Sequence, residues 1–210
     1  SFSYRHPNSR ARAHCSTAPT DTALQHSRMR KLPTLTTSRL VLRPFLLSDA
    51  AMVQRLAGER ADADTTLTIP HPYADGLAES WIGSHEGAWT RHEMATLAVT
   101  EADAGLIGAI SVRIELSHRR AEMGYWIGAP YWGLGYATEA ARAMIIFGFD
   151  KLSLHRIYSQ HFTRNPASGR VMAKVGMRRE GTLRGHFFRW DKPEDVAVWG
   201  LLRTEVGGHS

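Results

Sequence analysis

The sequence predicts an α/β (α+β) fold built on a mixed, mostly antiparallel central sheet. Three strand-like segments rich in apolar residues follow one another with only short turns between them, which is typical of an antiparallel meander. After the meander, helical and strand-like apolar periods alternate. Strands that first precede helices and then alternate with them favour one mixed sheet over a doubly wound one.

The individual elements follow from apolar period, capping residues and turn residues. In chain order we predict a strand over Arg39–Phe45, a helix from an N-cap at Ser48-Asp49 to about Ala57, a loop over Ile69–Asp75, a helix over Asp75–Trp89, strands over Met94–Thr100, Leu106–Ile114 and Arg119–Ile127, a helix bearing Ala137 to Ile145, a strand over His155–Gln160, a helix over Asn165–Val175, and last strands over Met177–Leu183 and Ala197–Arg203.

Length and composition indicate one domain with an N-terminal extension. The chain has 210 residues, 43% of them hydrophobic and 22% charged, which is ordinary for a globular protein. Residues 1–33 are rich in Ser, Thr, Arg, His and Pro without an apolar period, so we expect a disordered or extended tail followed by a domain over residues 34–206. The single cysteine, Cys15, cannot form an internal disulfide, which makes a reducing, cytoplasmic setting the default.

Charge and histidine spacing narrow the classes of partner. The net charge is +6 and about half of it belongs to residues 1–28, so the remainder is too mildly basic to predict nucleic-acid binding. No apolar run reaches the length of a membrane helix. The eleven histidines show no metal-ligand spacing, and we expect no metal.

A glycine loop precedes the predicted central helix. Gly133-Leu134-Gly135 is followed by Tyr136, Ala137 and Thr138, where the helix begins. Bare backbone N–H groups at a helix N-terminus bind anions, and glycines let a pyrophosphate approach closely. A simple strand-to-helix turn is the alternative. Thr138 stands where the dinucleotide-binding pattern needs its third glycine, which argues against that type of site.

Two further positions carry candidate chemistry. Asn165 is a good N-cap with Pro166 at the first helical position, and Ser168 then heads the apolar stripe of that helix, so its hydroxyl needs a partner. Strand alternation puts Glu122 on one face with Gly124 and Trp126, where a carboxylate could accept a proton. A serine bonded to a free backbone group and a solvent-facing glutamate are the simpler interpretations.

Together these segments resemble the GNAT acetyltransferases, and within them the RimJ/RimL type that acetylates protein N-termini, including those of ribosomal proteins. The resemblance covers about residues 34–204. The motifs that carry it, in order, are Ser38–Phe45, Ile69–Tyr73, Ala78–Ile82, Glu122–Trp126, Trp132–Ala140, Asn165–Ser168, Glu180–Arg184 and Gly200–Leu202.

The resemblance implies a sheet of about seven strands, with helices on both faces, that is splayed to hold acetyl-CoA as co-substrate. It implies a pyrophosphate on the amides of Gly133 to Thr138, a pantetheine arm along Trp126 and Ile127, and Asn165 and Ser168 near the thioester sulfur. Glu122 would be the catalytic base and Ser168 a second catalytic residue. His71 and Tyr73 would shape the acceptor site.

Two positions depart from the family pattern. Pro130 replaces a side chain that contacts phosphate, and Trp199 stands where many relatives have a tyrosine acid near the last strand. An indole N–H cannot protonate a thiolate, so that role would pass to Ser168 or water.

The acceptor amine stays open at this level. The resemblance favours a protein or peptide N-terminus, possibly ribosomal, and the alternatives are a small amine such as an antibiotic or polyamine, or a non-catalytic acyl-CoA-binding module. The chain would act as a monomer or homodimer.

Overall fold

The structure, a computed structural model, describes residues 31–66 and 69–206. Cys15 and nearly all of the expected tail lie outside these residues. The described residues hold eight strands, six helices and four short 3-10 turns. The strands are β1 Leu35–Thr36, β2 Leu40–Arg43, β3 Met94–Glu101, β4 Gly105–Glu115, β5 Arg120–Ile127, β6 Arg156–Phe162, β7 Arg178–Arg189 and β8 Lys192–Leu202. The helices are α1 Ala50–Ala57, α2 Arg60–Thr65, α3 Leu77–Gly83, α4 His85–Thr90, α5 Tyr136–Asp150 and α6 Pro166–Lys174.

The strands form one mixed sheet in the order β1-β2-β3-β4-β5-β6-β8-β7. Every neighbouring pair is antiparallel except β5 and β6, which run parallel. Their pairing stops after three positions, at Glu122 opposite Tyr158. Beyond this point the two strands separate, and the sheet is splayed at its centre.

Helices cover both faces of the sheet. Leu97 and Val99 of β3 belong to one buried core, which α5 and α6 complete with residues such as Met144 and Met172. Ala98, between them, faces a second core that α1 and α3 complete. This is the alternation that strand geometry requires of a sheet buried on both sides.

The structure corrects several predicted boundaries. The helix expected over Asp75–Trp89 is two helices, because Ser84 Oγ donates to the Trp81 carbonyl at 2.7 Å and the helix ends there. Asp49 does not cap α1: its carboxylate accepts from Arg43 and from the Leu46 N–H instead. The short helix α2 was not predicted.

The last hairpin is longer than the sequence indicated. β7 continues to Arg189 and β8 starts at Lys192, so residues expected to form a loop belong to the sheet. The turn consists of Trp190 and Asp191, both with positive φ, at 51° and 58°. Its tip lies against α2, where Trp190 Nε1 donates to Asp64 Oδ1 and Arg189 donates to the Ala63 carbonyl.

Candidate active site

The gap between β5 and β6 exposes backbone polar groups of β5. Gly128 N–H donates to Ile107 of β4, whereas the Met123 carbonyl accepts from Ser159 Oγ of β6 at 2.7 Å. Since neighbouring residues of a strand point their N–H groups in opposite directions, Tyr125 and Ile127 direct theirs into the gap. The backbone of Trp126 faces β4 instead, and its side chain lines the cleft described below.

The glycine loop forms the N-terminus of α5 beside this gap. Gly133 has φ 78° and Gly135, the N-cap, has φ 85°, values that favour glycine strongly. A Cβ at Gly133 would meet nothing within 4 Å, so open space lies over the loop. The first amides of this 15-residue helix have no partner within the helix, and its dipole adds positive potential there. Residues 133–138 therefore form a cradle suited to an anion.

The only acidic side chain in the first turn of α5, Glu139, is held away from the cradle. Partial burial alone would raise the pKa of Glu139, but hydrogen bonds from Thr37, Arg39 and Ser38 outweigh it and lower the pKa to about 2. Arg39 also pairs with this carboxylate at 2.6 Å and donates to the Leu134 carbonyl. Arg39 thus balances the negative charge of Glu139, which lies next to the anion cradle.

The start of α6 lies on the other side of the gap and confirms the predicted cap. Asn165 Oδ1 accepts from the Ser168 N–H, and its Nδ2 donates to Ser168 Oγ at 3.1 Å. With its oxygen accepting from Asn165, the Ser168 hydroxyl keeps its own proton free to donate. Tyr125 Oη donates to the Ser168 carbonyl from β5, and burial raises the pKa of this phenol to about 12, so it stays protonated.

A cleft of about 530 Å³ opens beside the gap, with Glu122 and Ser168 both on its wall. Glu122 is half-buried, and its Oε1 accepts from Gln160 Nε2 of β6 at 2.6 Å. No contact to its Oε2 is found among the described residues. The carboxylate is therefore fixed at the point where the sheet begins to splay, with one oxygen available to the cleft.

The rest of the wall is mostly apolar and carries one cation. Of the predicted acceptor residues, Tyr73 lines the cleft, together with Trp81, Met94 and Trp126. His71 does not: its Nδ1 contacts the Gly58 carbonyl and its ring meets Trp190 at the tip of the β7–β8 hairpin. Arg113 of β4 lines the cleft opposite Glu122.

Helix α2 contacts both sides of the gap, one through a buried acid and the other through a backbone carbonyl. Asp62 is 1% exposed, and its Oδ2 accepts from the Ala129 N–H, between β5 and the glycine loop. Burial raises the pKa of Asp62 to about 6; the hydrogen bond from Ala129 opposes this rise in part, and the charge of Glu59 adds a smaller rise. Three residues on, the Thr65 carbonyl accepts from Asn165 Nδ2.

Trp199 does not present its N–H to the cleft. The indole donates to His161 Nε2 at 3.1 Å, which leaves the proton of a neutral His161 on Nδ1, beside the Phe162 carbonyl. Burial lowers the pKa of His161, in keeping with this neutral form.

Four residues of this region were missed by the sequence reasoning: Gln160, Arg113, Asp62 and Tyr125. Strand alternation could have found Gln160 and Arg113 once the strand register was known, because both share the face of Glu122. No local signal identifies Asp62. In residues 31–66 and 69–206, no three His, Cys, Asp or Glu side chains are grouped as metal ligands, and no helix there could cross a membrane.

Comparison with known proteins shows which family has this architecture. Residues 39–178 match the family model described as the acetyltransferase (GNAT) domain. The chain is 32% identical over 172 residues to the uncharacterized N-acetyltransferase YnaD of Bacillus subtilis, covering 81% of the chain and 98% of that protein. A match to another B. subtilis protein, the uncharacterized N-acetyltransferase YoaA, is 37% identical over 99 residues but spans only 47% of the chain and 56% of that relative.

Some relatives carry names that state an acceptor. YdaF of B. subtilis, whose name assigns it provisionally to ribosomal N-acetylation, is 32% identical over 123 residues, 56% of the chain and 67% of YdaF. Spermidine N(1)-acetyltransferase of Escherichia coli is 35% identical over 91 residues, 43% of the chain and 49% of that enzyme.

Solved structures share the fold. A GNAT-family acetyltransferase of Bacillus anthracis superposes with a TM-score of 0.74 at 25% identity, over 82% of the chain and all of that structure. RimJ of Mycobacterium smegmatis, solved with CoA-disulfide, superposes with a TM-score of 0.75 at 23% identity, over 85% of the chain and 91% of RimJ. The chain belongs to the GNAT acetyltransferase family and is an N-acetyltransferase.

Proposed function

We propose that the chain transfers the acetyl group of acetyl-CoA to the terminal amine of a protein or peptide. The observation that carries this proposal is the position of Glu122, fixed by Gln160 where β5 and β6 separate, with one carboxylate oxygen available to the cleft. Amine acetylation needs a group in this position, because an ammonium must lose a proton before its nitrogen can attack a thioester.

The residues around the gap fit acetyl-CoA. The pyrophosphate would be held by the amides of Gly133, Leu134, Gly135, Tyr136, Ala137 and Thr138. The charge of the neighbouring Glu139 is balanced by its hydrogen bonds and its pair with Arg39. The pantetheine arm would lie along β5 beside Trp126, in the gap where the N–H groups of Tyr125 and Ile127 lack a strand partner. Asn165 and Ser168 would face the end of the arm.

Chemically, the proposed reaction is a direct displacement. Glu122 first takes one proton from the ammonium. The neutral amine then attacks the acetyl carbon, the N–C bond forms, the C–S bond breaks, and the nitrogen gives up its second proton as the amide forms. The Ile127 N–H would polarise the carbonyl, and Ser168 or water would return a proton to the leaving thiolate. Holding amine and thioester side by side supplies much of the barrier reduction.

The charge of the cleft supports a terminal amine over a polyamine. A polycation such as spermidine needs several carboxylates, whereas the cleft wall in the described residues offers Glu122 and faces it with Arg113. YdaF's name supports the same choice, while the likeness to spermidine N(1)-acetyltransferase keeps a small amine as the alternative.

The test is a pH–rate profile of Glu122→Gln, measured on one peptide that the wild-type enzyme acetylates. We expect kcat to fall by about 10²–10⁴-fold near pH 7, the usual cost of losing a general base. The defect should shrink above about pH 8, where an α-amine deprotonates unaided, and acetyl-CoA affinity should change little.

Glu86→Gln is the matched control, because Glu86 lies exposed on α4 away from the cleft. A Glu122→Gln enzyme with the wild-type rate and profile would mean that the base lies elsewhere. A screen in which labelled acetyl-CoA modifies spermidine but no peptide would replace the proposed acceptor with the polyamine.

A further inference from the structure

A cation stands beside the proposed base in the cleft. Arg113 of β4 is the register partner of Glu122 on β5, and both side chains line the cleft. Gly128 N–H donates to β4, and every second residue before it, including Glu122, points its N–H the same way. Arg113 and Glu122 are therefore a hydrogen-bonded antiparallel pair, whose Cα atoms lie about 5.5 Å apart. The two side chains therefore rise side by side from the same face of the sheet.

Arg113 has no anionic partner among the described residues. Two other acids close to it in the sheet are already engaged: Glu93, just before β3, pairs with Arg91, and Glu115, two residues along β4, pairs with Arg120. Glu122 accepts from Gln160 and makes no ion pair with Arg113. Arg113 is also exposed, so its guanidinium can reach a bound molecule without breaking an internal contact.

The position of Arg113 relative to the gap sets which part of an acceptor it meets. Glu122 belongs to the strand that borders the gap, and Arg113 lies one strand further away, about 4.8 Å across the sheet. An acceptor whose amine lies at Glu122 extends over β4 towards Ser111 and Thr96, which line the same cleft. Its residues next to the amine then pass within reach of the arginine side chain.

We infer that Arg113 is a specificity-determining residue that selects peptide acceptors with an acidic side chain next to the terminal residue. This inference rests on the proposed function, since it takes the acceptor to be a peptide. An aspartate or glutamate at the second position would pair with the guanidinium, whereas a lysine there would meet a like charge. The same arrangement disfavours any acceptor with a second ammonium close to the first.

The experiment compares kcat/KM for three peptides that begin with alanine, carry Asp, Asn or Lys at the second position, and end in amides, so that the Asp side chain is the only added carboxylate. We expect the wild-type enzyme to prefer Asp over Asn by about fivefold, the size of one partly exposed charge pair, and to disfavour Lys. Arg113→Glu should reverse this order, and Arg113→Gln should remove the preference without reversing it.

Arg55→Glu provides the control for a change of net charge, because Arg55 is exposed on α1 and does not line the cleft. It should keep the wild-type order. Acetyl-CoA affinity and the melting temperature of each variant report whether the fold and the cofactor site are intact, and Arg113→Gln carries the test if the charge reversal does not fold.

The outcomes separate the two proposals. Acetylation of all three peptides at equal rates, or an unchanged order in a folded Arg113→Glu or Arg113→Gln enzyme, overturns the inference about Arg113 and leaves the peptide acceptor standing. Failure of an enzyme that binds acetyl-CoA to acetylate any peptide overturns the proposed function and this inference with it.

Discussion

Replacing Asp62 with asparagine should make the variant progressively more stable relative to wild type as pH rises from 4 to 8. Asp62 is 1% exposed in α2, and its carboxylate accepts one backbone hydrogen bond, from the Ala129 N–H. Asparagine keeps an oxygen for that N–H and removes the buried charge. The substitution therefore tests whether the ionised acid is held at a cost in the folded state.

The size and sign of the effect follow from the pKa. Burial raises the pKa of Asp62 from 3.8 to about 6. Between these two values the folded protein holds a proton that the unfolded chain has released, so the free energy of unfolding falls as pH rises through this window. At about 1.4 kcal/mol per pH unit, the loss is about 3 kcal/mol at pH 8 relative to pH 3.8 or below.

The pH dependence of the difference between the two proteins is the diagnostic quantity. The asparagine NH₂ group, if it finds no partner, costs about 1–3 kcal/mol at every pH, which shifts the whole difference without changing its slope. We expect the variant to gain about 2.5 kcal/mol relative to wild type between pH 4 and pH 8, because the unfolded acid is already partly ionised at pH 4. For a chain of this length that corresponds to about 5–10 °C in Tm.

The assay is thermal unfolding of wild type and Asp62→Asn across pH 4–8, with Asp103→Asn as control. Asp103 is exposed in the β3–β4 turn, so its replacement should leave the difference from wild type independent of pH. A difference in unfolding free energy between Asp62→Asn and wild type that stays constant over the whole pH range would refute the reasoning, because the acid would then titrate alike in the folded and unfolded chains.

Two further predictions concern the cofactor side of the gap. Gly135→Val should weaken CoA binding by more than about tenfold in calorimetry, since a side chain at φ 85° is strained by about 1–2 kcal/mol and its Cβ would lie 3.5 Å from Arg39 Nη2, which pairs with Glu139 beside the cradle. Gly76→Val, with φ 77° and nothing within 4 Å, should bind CoA normally, and equal affinities would remove the cradle from the CoA site. Ser168→Ala should lower kcat by about fivefold, the value of one neutral hydrogen bond, and a loss as large as that of Glu122→Gln would make Ser168 the main proton-transfer group.

Local patterns were sufficient to predict the elements that border the gap between β5 and β6. The meander β3–β4–β5 follows from three successive strand-like apolar segments and from turns of only a few residues, so its pairing needs no distant information. The glycine loop and the Asn165 cap are likewise local, because a positive φ and a free first-turn N–H each select a small set of residues.

The features that the sequence did not reveal depend on contacts between distant segments. The splay exists because β5 and β6 pair over only three positions, and nothing in either strand alone says where pairing stops. The hydrogen bond that fixes Glu122 comes from Gln160, 38 residues away. The hairpin turn at Trp190 and Asp191 lacks the glycine or asparagine that usually marks positive φ, so it was not recognised.

Three carboxylates surround the splayed strands, and their surroundings separate their roles. Glu139 is held by Arg39 and two hydroxyls, which lower its pKa to about 2 and commit both oxygens. Asp62 is enclosed, with a pKa raised to about 6 and its contact directed at the Ala129 backbone rather than at the cleft. Glu122 alone of the three lines the cleft, bonded through one oxygen to a neutral amide that restrains it without supplying a positive charge. No ion pair joins Glu122 to Arg113 among the described residues, and this absence is what the roles proposed for them, a base and an anion-binding cation, require.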